Sequence, residues 1–148
     1  MKTPVITTLN IPLIAAAASH FKCTGKLKQS QNNLVYLDID DAYILELFPL
    51  LQDQTIKMPD YFGKGSAGAH ITVVYPEENK KINKEELGVE HAFSINALAA
   101  AEIGHKTYYV LLVEAPSLLQ LRRQYQLPDL LCFKGYAVGF HITIGVKE

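Results

Sequence analysis

Hydrophobic and polar positions alternate in short runs along this chain, and breakers separate the runs. Leu34-Val35-Tyr36-Leu37-Asp38-Ile39 is β-branched and aromatic and predicts a strand; polar Gln29 to Asn33 precede it as a turn. Asp40 or Asp41 offers an N-cap for a helix over Tyr43 to Leu51, which Pro49 should kink or end. Met58 to Gly68 is rich in glycine and proline and reads as a loop. It leads into His70-Ile71-Thr72-Val73-Val74-Tyr75, a strand closed by Pro76. Glu77 to Glu86 is charged and predicts a solvated turn and short helix. Beyond it, Phe93 to Leu98 and Thr107 to Glu114 predict strands, Pro116-Ser117 starts a helix carrying Leu118, Leu119, Leu121, Arg122 and Tyr125, and His141 to Val146 is the last strand.

The two halves share one grammar: strand, helix, a loop bearing Gly or Pro, then a strand opening on His-Ile-Thr. Tyr36 and His70 are 34 positions apart, Val110 and His141 31. The near-equal period predicts duplicated βαβ-like lobes related by a pseudo-twofold axis. One domain over 1–148 is expected, with an N-terminal lobe at about 34–76, a C-terminal lobe at about 93–148 and an extension at 1–33. In that extension the alanines after Pro12 faintly imitate a secretory signal, but the prolines and polar residues that interrupt it favour a short packed helix and a cytoplasmic protein.

Composition narrows the function classes. With 49% apolar and 20% charged residues the chain has the means for a core. Fourteen Lys and Arg against fifteen Asp and Glu give a formal charge of −1, without the basic excess that duplex DNA binding needs. No apolar run is long enough to cross a bilayer, so no membrane partner is expected, and a monomer is the expected state. Cys23 and Cys132 are too few for a disulfide scaffold or zinc knuckle and read as buried thiols.

The candidate chemistry lies on the two motif strands. Alternation puts His70 and Thr72 on one face with Val74, and His141 and Thr143 on one face with Gly145; Tyr75 falls on the opposite face and reads as packing. Two imidazoles and two hydroxyls at equivalent addresses suit an anion. A phosphodiester displacement needs one proton removed from the attacking oxygen and one given to the leaving oxygen. Histidine, with an ordinary pKa of about 6.5, serves in either role. The threonine hydroxyls suit the non-bridging phosphate oxygens. Two histidines with no carboxylate on these strands fall short of a metal site, so neither metal nor cofactor is expected. Lys134 and Tyr136, beside Gly135 in a flexible loop, and Tyr61 and Phe62, in the equivalent earlier loop, are candidate substrate contacts. Arg122 and Arg123 read as surface charges; His20, His91 and His105 read as surface residues outside the site.

His70-Ile71-Thr72-Val73 and His141-Ile142-Thr143-Ile144 resemble the paired motifs of the two-histidine (2H) phosphoesterase superfamily. Phe133-Lys134-Gly135-Tyr136 resembles its Swiss Army Knife RNA repair-like branch, and the resemblance runs from about Leu34 to the C-terminus. It implies an α+β bilobal fold with antiparallel sheets flanking a central cleft. It also implies a cyclic phosphodiesterase acting on 2′,3′-cyclic phosphate or related diesters of a small nucleotide or RNA terminus. His70 and His141 would be acid and base, and Thr72 and Thr143 phosphate ligands. A nucleotide sensor of the same fold and a 2′–5′ ligase-like or RNA-trimming activity stand as alternatives.

Overall fold

The computed structural model describes residues 1–148. Ten strands and three short helices follow one another: β1 (Val5–Leu9), α1 (Pro12–Ala18), β2 (Thr24–Gln29), β3 (Val35–Asp38), α2 (Ala42–Leu45), β4 (His70–Val74), β5 (Glu90–Ala92), β6 (Ser94–Ile103), β7 (Lys106–Glu114), α3 (Pro116–Gln124), β8 (Leu131–Phe133), β9 (Tyr136–Val138) and β10 (His141–Lys147). Eight strands form one sheet in the order β1-β6-β7-β10-β4-β3-β2-β5, with every neighbouring pair antiparallel. Where two sheets were expected, the sheet is therefore continuous through its middle. There β4 and β10 meet at the pair Ile71 and Ile142. No helix is long and apolar enough to cross a membrane.

Residues 1–33 do not stand apart from this sheet. β1 is an edge strand along β6, and β2 lies between β3 and β5. The alternation that reveals a strand is weak in Thr24-Gly25-Lys26-Leu27-Lys28-Gln29, where Leu27 is the only apolar side chain and is fully buried. The alanines after Pro12 form α1, with Pro12 in the first turn, where its missing N–H costs nothing, and with Ile14 and Ala18 buried.

The predicted helix from Tyr43 ends early: α2 stops at Leu45, and a separate, tighter 3-10 turn follows at Phe48–Leu51 with Pro49 in its opening positions. The two aspartates before it cap different elements. Asp40 Oδ1 accepts from the Ala42 amide at 2.9 Å, while Asp41 Oδ1 accepts from the Ala69 amide at 3.0 Å and so pins the start of β4. Gly68 sits at φ +69 against that carboxylate, and a β-carbon there would press on Asp41 Oδ1.

Both motif strands carry a one-residue bulge directly after the threonine. Against β3, Tyr36 pairs with Thr72 and Val35 with Val74; against β7, Val110 pairs with Thr143 and Tyr109 with Gly145. A bulge puts two residues opposite one and reverses the facing of the residues beyond it. Gly145, expected beside His141 and Thr143, is turned instead toward Phe48, Leu51 and Ile56.

The segment read as a flexible loop at Lys134-Gly135 is a two-residue turn joining β8 to β9. Both residues have positive φ, at 50° and 82°, as a tight hairpin turn requires. Arg122, read as a surface charge, is fully buried because it lies on the α3 stripe formed with Leu118 and Leu121. Its ion-pair partner Glu78 is buried too, although it belongs to the stretch read as solvated. Arg123 is exposed and paired with Asp129. The two cysteines are half-buried rather than core thiols: Cys23 lies against the Tyr43 hydroxyl and Cys132 against the Glu77 carboxylate.

Candidate active site

The antiparallel register at Ile71 and Ile142 sets His70 across from Thr143 and Thr72 across from His141. All four side chains line one cavity of about 1010 Å³. The threonines are 6% and 8% exposed, so their side chains are fixed by packing where they reach the cavity. The histidines are held alike. Nδ1 of His70 donates to the Gly68 carbonyl oxygen at 2.7 Å, and Nδ1 of His141 donates to the Gly139 carbonyl oxygen at 2.8 Å. A carbonyl can only accept, so each bond fixes the proton on Nδ1 and leaves Nε2 as the reacting nitrogen.

Burial lowers the pKa of both imidazoles. For His70 the Gly68 carbonyl and the Asp38 carboxylate oppose that shift; Asp38 is its cross-strand partner and is also paired with Lys28 at 2.7 Å. For His141 the Gly139 carbonyl opposes it, while the charge of His70 adds to it. At the position of β7 opposite His141 stands Leu112, so the two rings differ in having a carboxylate neighbour.

The wall is aromatic. Tyr61 stands edge-on to the His70 ring at 4.8 Å and Tyr36 at 5.6 Å, while Tyr75 and Tyr108 pack on Phe133 at 4.9 and 5.9 Å. Burial raises the pKa of both Tyr61 and Tyr75, against the pull of the adjoining Thr143 and Thr72 hydroxyls respectively, so both phenols stay protonated donors.

Of the substrate contacts read from the sequence, Tyr61 lies in the cavity and three do not. Phe62 is 40% exposed and points elsewhere. Tyr136 turns toward the β6–β7 connection, where its hydroxyl accepts from the Gly104 amide at 3.3 Å, and Lys2 lies over its ring. Lys134, held by the tight turn, lies over the Phe133 ring and reaches the Tyr108 hydroxyl at 3.5 Å, outside the lining. Lys64, from the loop before β4, is the cation on the wall instead.

Strict alternation assigns Tyr75 to the opposite face, but the bulge after Thr72 interrupts it, and Tyr75 lines the cavity. Tyr36, Tyr108 and Phe133 also escaped the sequence reading. Each left a signal there: Tyr36 on the strand before the first motif, Tyr108 on the predicted strand from Thr107, and Phe133 in the run Phe133-Lys134-Gly135-Tyr136. Ile6 of β1, Gln29 at the end of β2 and Ser30 to Asn32 beyond it add to the wall, so the N-terminal segment builds part of the site. His20 and His105 are exposed; His91 is half-buried, with its Nδ1 at 2.8 Å from the Ser117 hydroxyl, and all three lie away from the cavity. No group of three His, Cys, Asp or Glu side chains is placed to hold a metal ion.

A large antiparallel sheet with two inward His-x-Thr strands at its centre defines a phosphoesterase-type domain. The family model described as Swiss Army Knife, 2H phosphoesterase domain matches residues 35–148, more than three quarters of the chain, and the protein belongs to that family. No curated protein and no solved structure matches the chain.

Proposed function

We propose that the protein is a metal-independent phosphodiesterase that opens 2′,3′-cyclic phosphates or related diesters on small nucleotides or RNA ends. The observation that carries this reading is the matched pair of Nδ1-to-carbonyl bonds on two histidines that share a cavity with two buried threonine hydroxyls. In the hydrolytic step a water oxygen attacks phosphorus and gives its proton to Nε2 of the neutral imidazole. The bond from phosphorus to the leaving ribose oxygen breaks, and that oxygen takes the Nε2 proton of the other, charged imidazole. The Thr72 and Thr143 hydroxyls, with Tyr61 and Tyr75 beside them, donate to the non-bridging oxygens as charge grows there. Lys64 adds a positive charge at the wall, and the tyrosines around His70 offer faces and edges to a base.

The matching bulges after Thr72 and Thr143 support two halves, about 34–76 and 93–148, related by an approximate twofold axis between β4 and β10 within one domain. Incubation with a panel of 2′,3′-cyclic nucleotides, 2′–5′-linked oligonucleotides and 1″,2″-cyclic ADP-ribose phosphate, in EDTA and with products resolved by mass spectrometry, tests the proposal. Opening of a cyclic ester to a monoester is expected. Tight binding of these compounds with every one returned intact would favour a sensor.

A further inference from the structure

Arg122 is the largest fully buried side chain in the protein, and every one of its five N–H donors is used. Nη1 donates to the Val73 carbonyl oxygen at 2.8 Å and to Glu78 Oε1 at 3.1 Å. Nη2 donates to Glu78 Oε2 at 2.7 Å and to the Leu130 carbonyl oxygen at 3.0 Å, and Nε donates to the Pro128 carbonyl oxygen at 2.9 Å. Glu78 Oε1 in turn accepts from the Tyr75 amide at 2.9 Å.

Val73 is the extra residue of the β4 bulge, and Tyr75 is the side chain that the bulge returns to the cavity. Leu130 directly precedes β8, which ends in Phe133, the ring against which Tyr75 packs. The equivalent bulge on β10 has no such charged pair; Phe48, Leu51 and Ile56 close on it instead. A buried ion pair contributes little net stability relative to apolar residues of similar size, because desolvation cancels most of the attraction. Its directional bonds do fix geometry.

We propose that the buried Arg122–Glu78 ion pair is a positioning device, which clamps the β4 bulge and the start of the β8–β9 hairpin and so sets the placement of Thr72 and Tyr75 in the cavity. This rests on the reading of that cavity as a phosphodiesterase site, and neither residue touches the substrate.

The test compares wild type, Arg122→Met/Glu78→Leu and Glu78→Gln. The double variant removes both buried charges together and leaves neither stranded. It should fold, with kcat lowered about 10–100-fold by misplacement of the groups around phosphorus, KM nearly constant and the pH limits of the rate unmoved, since both histidines are untouched. Threonine-methyl NMR supplies a readout independent of turnover: the Thr72 resonance should move and that of Thr143 stay. Glu78→Gln keeps an oxygen for the Tyr75 amide but weakens the grip on the guanidinium, and gives the same signs at smaller size in a chain that needs no repacking. An unmoved Thr72 methyl in a folded variant overturns the proposal whatever the activity, as does wild-type kcat. A moved Thr72 methyl in a protein that opens none of the diesters upholds the positioning role and removes the proposed function.

Discussion

An imidazole whose Nδ1 proton is committed to a carbonyl offers one nitrogen for chemistry, and His70 and His141 each do so in the same cavity. Replacing either by alanine should lower turnover about 10²–10⁴-fold, the usual loss for a general acid or base, with the thermal midpoint changed little. Thr72→Val and Thr143→Val should each cost less, because two phosphate donors remain in the neighbouring phenols. Steady-state kinetics on a cyclic nucleotide check both. Burial depresses both histidine pKa values, so below about 6.5 the unfolded chain takes up protons more readily than the folded one. Their neutral burial stabilises the fold fully above about pH 6.5, and that contribution drains away as the pH falls from there through the folded pKa values. Thermal melts from pH 7.5 to 5 should show a falling midpoint, with a shallower fall in the double His70→Gln/His141→Gln variant. Equal slopes would mean the rings titrate normally.

At the scale of elements, the His-Ile-Thr alternation was legible because three residues suffice to assign a face. The bulges were not, since a bulge belongs to the pairing with β3 or β7 and leaves no mark on its own strand; hence Tyr75 and Gly145 fell on the wrong sides. Arg122 had a readable signal. Its spacing with Leu118 puts it on the buried stripe of α3, but charge outweighed position in the reading. Gly145→Ala should destabilise by about 1–3 kcal/mol, as overpacking does, because its β-carbon would lie 2.7 Å from Ile56 Cγ2 and 2.9 Å from Leu51 Cδ1. Arg122→Met alone should cost about 3–5 kcal/mol, since it strands the Glu78 carboxylate. Urea unfolding measures both.

For the whole molecule, the β-branched and aromatic runs located β3, β4, β7 and β10, neighbouring strands that meet at the site. The ends of the sheet were harder to see. β2 and β5 are short and polar, and β1 is an exposed edge strand, so none shows a buried face in its own sequence. Residues 35–148 alone lack β1, β2 and the buried Ile14, Ala18 and Leu27. That shortened chain should give no cooperative melt by circular dichroism, where the full chain melts in one transition.

If two histidines divide the proton transfers at phosphorus, the pH dependence of kcat/KM in EDTA from about pH 5 to 9, across the range of histidine titration, must show it. A bell is predicted, with its maximum on the acid side of the ordinary imidazole pKa because both rings are depressed, and with full activity in the chelator. A rate that rises to an alkaline plateau, vanishes in EDTA and returns with a divalent ion would contradict the account and make His70 and His141 metal ligands.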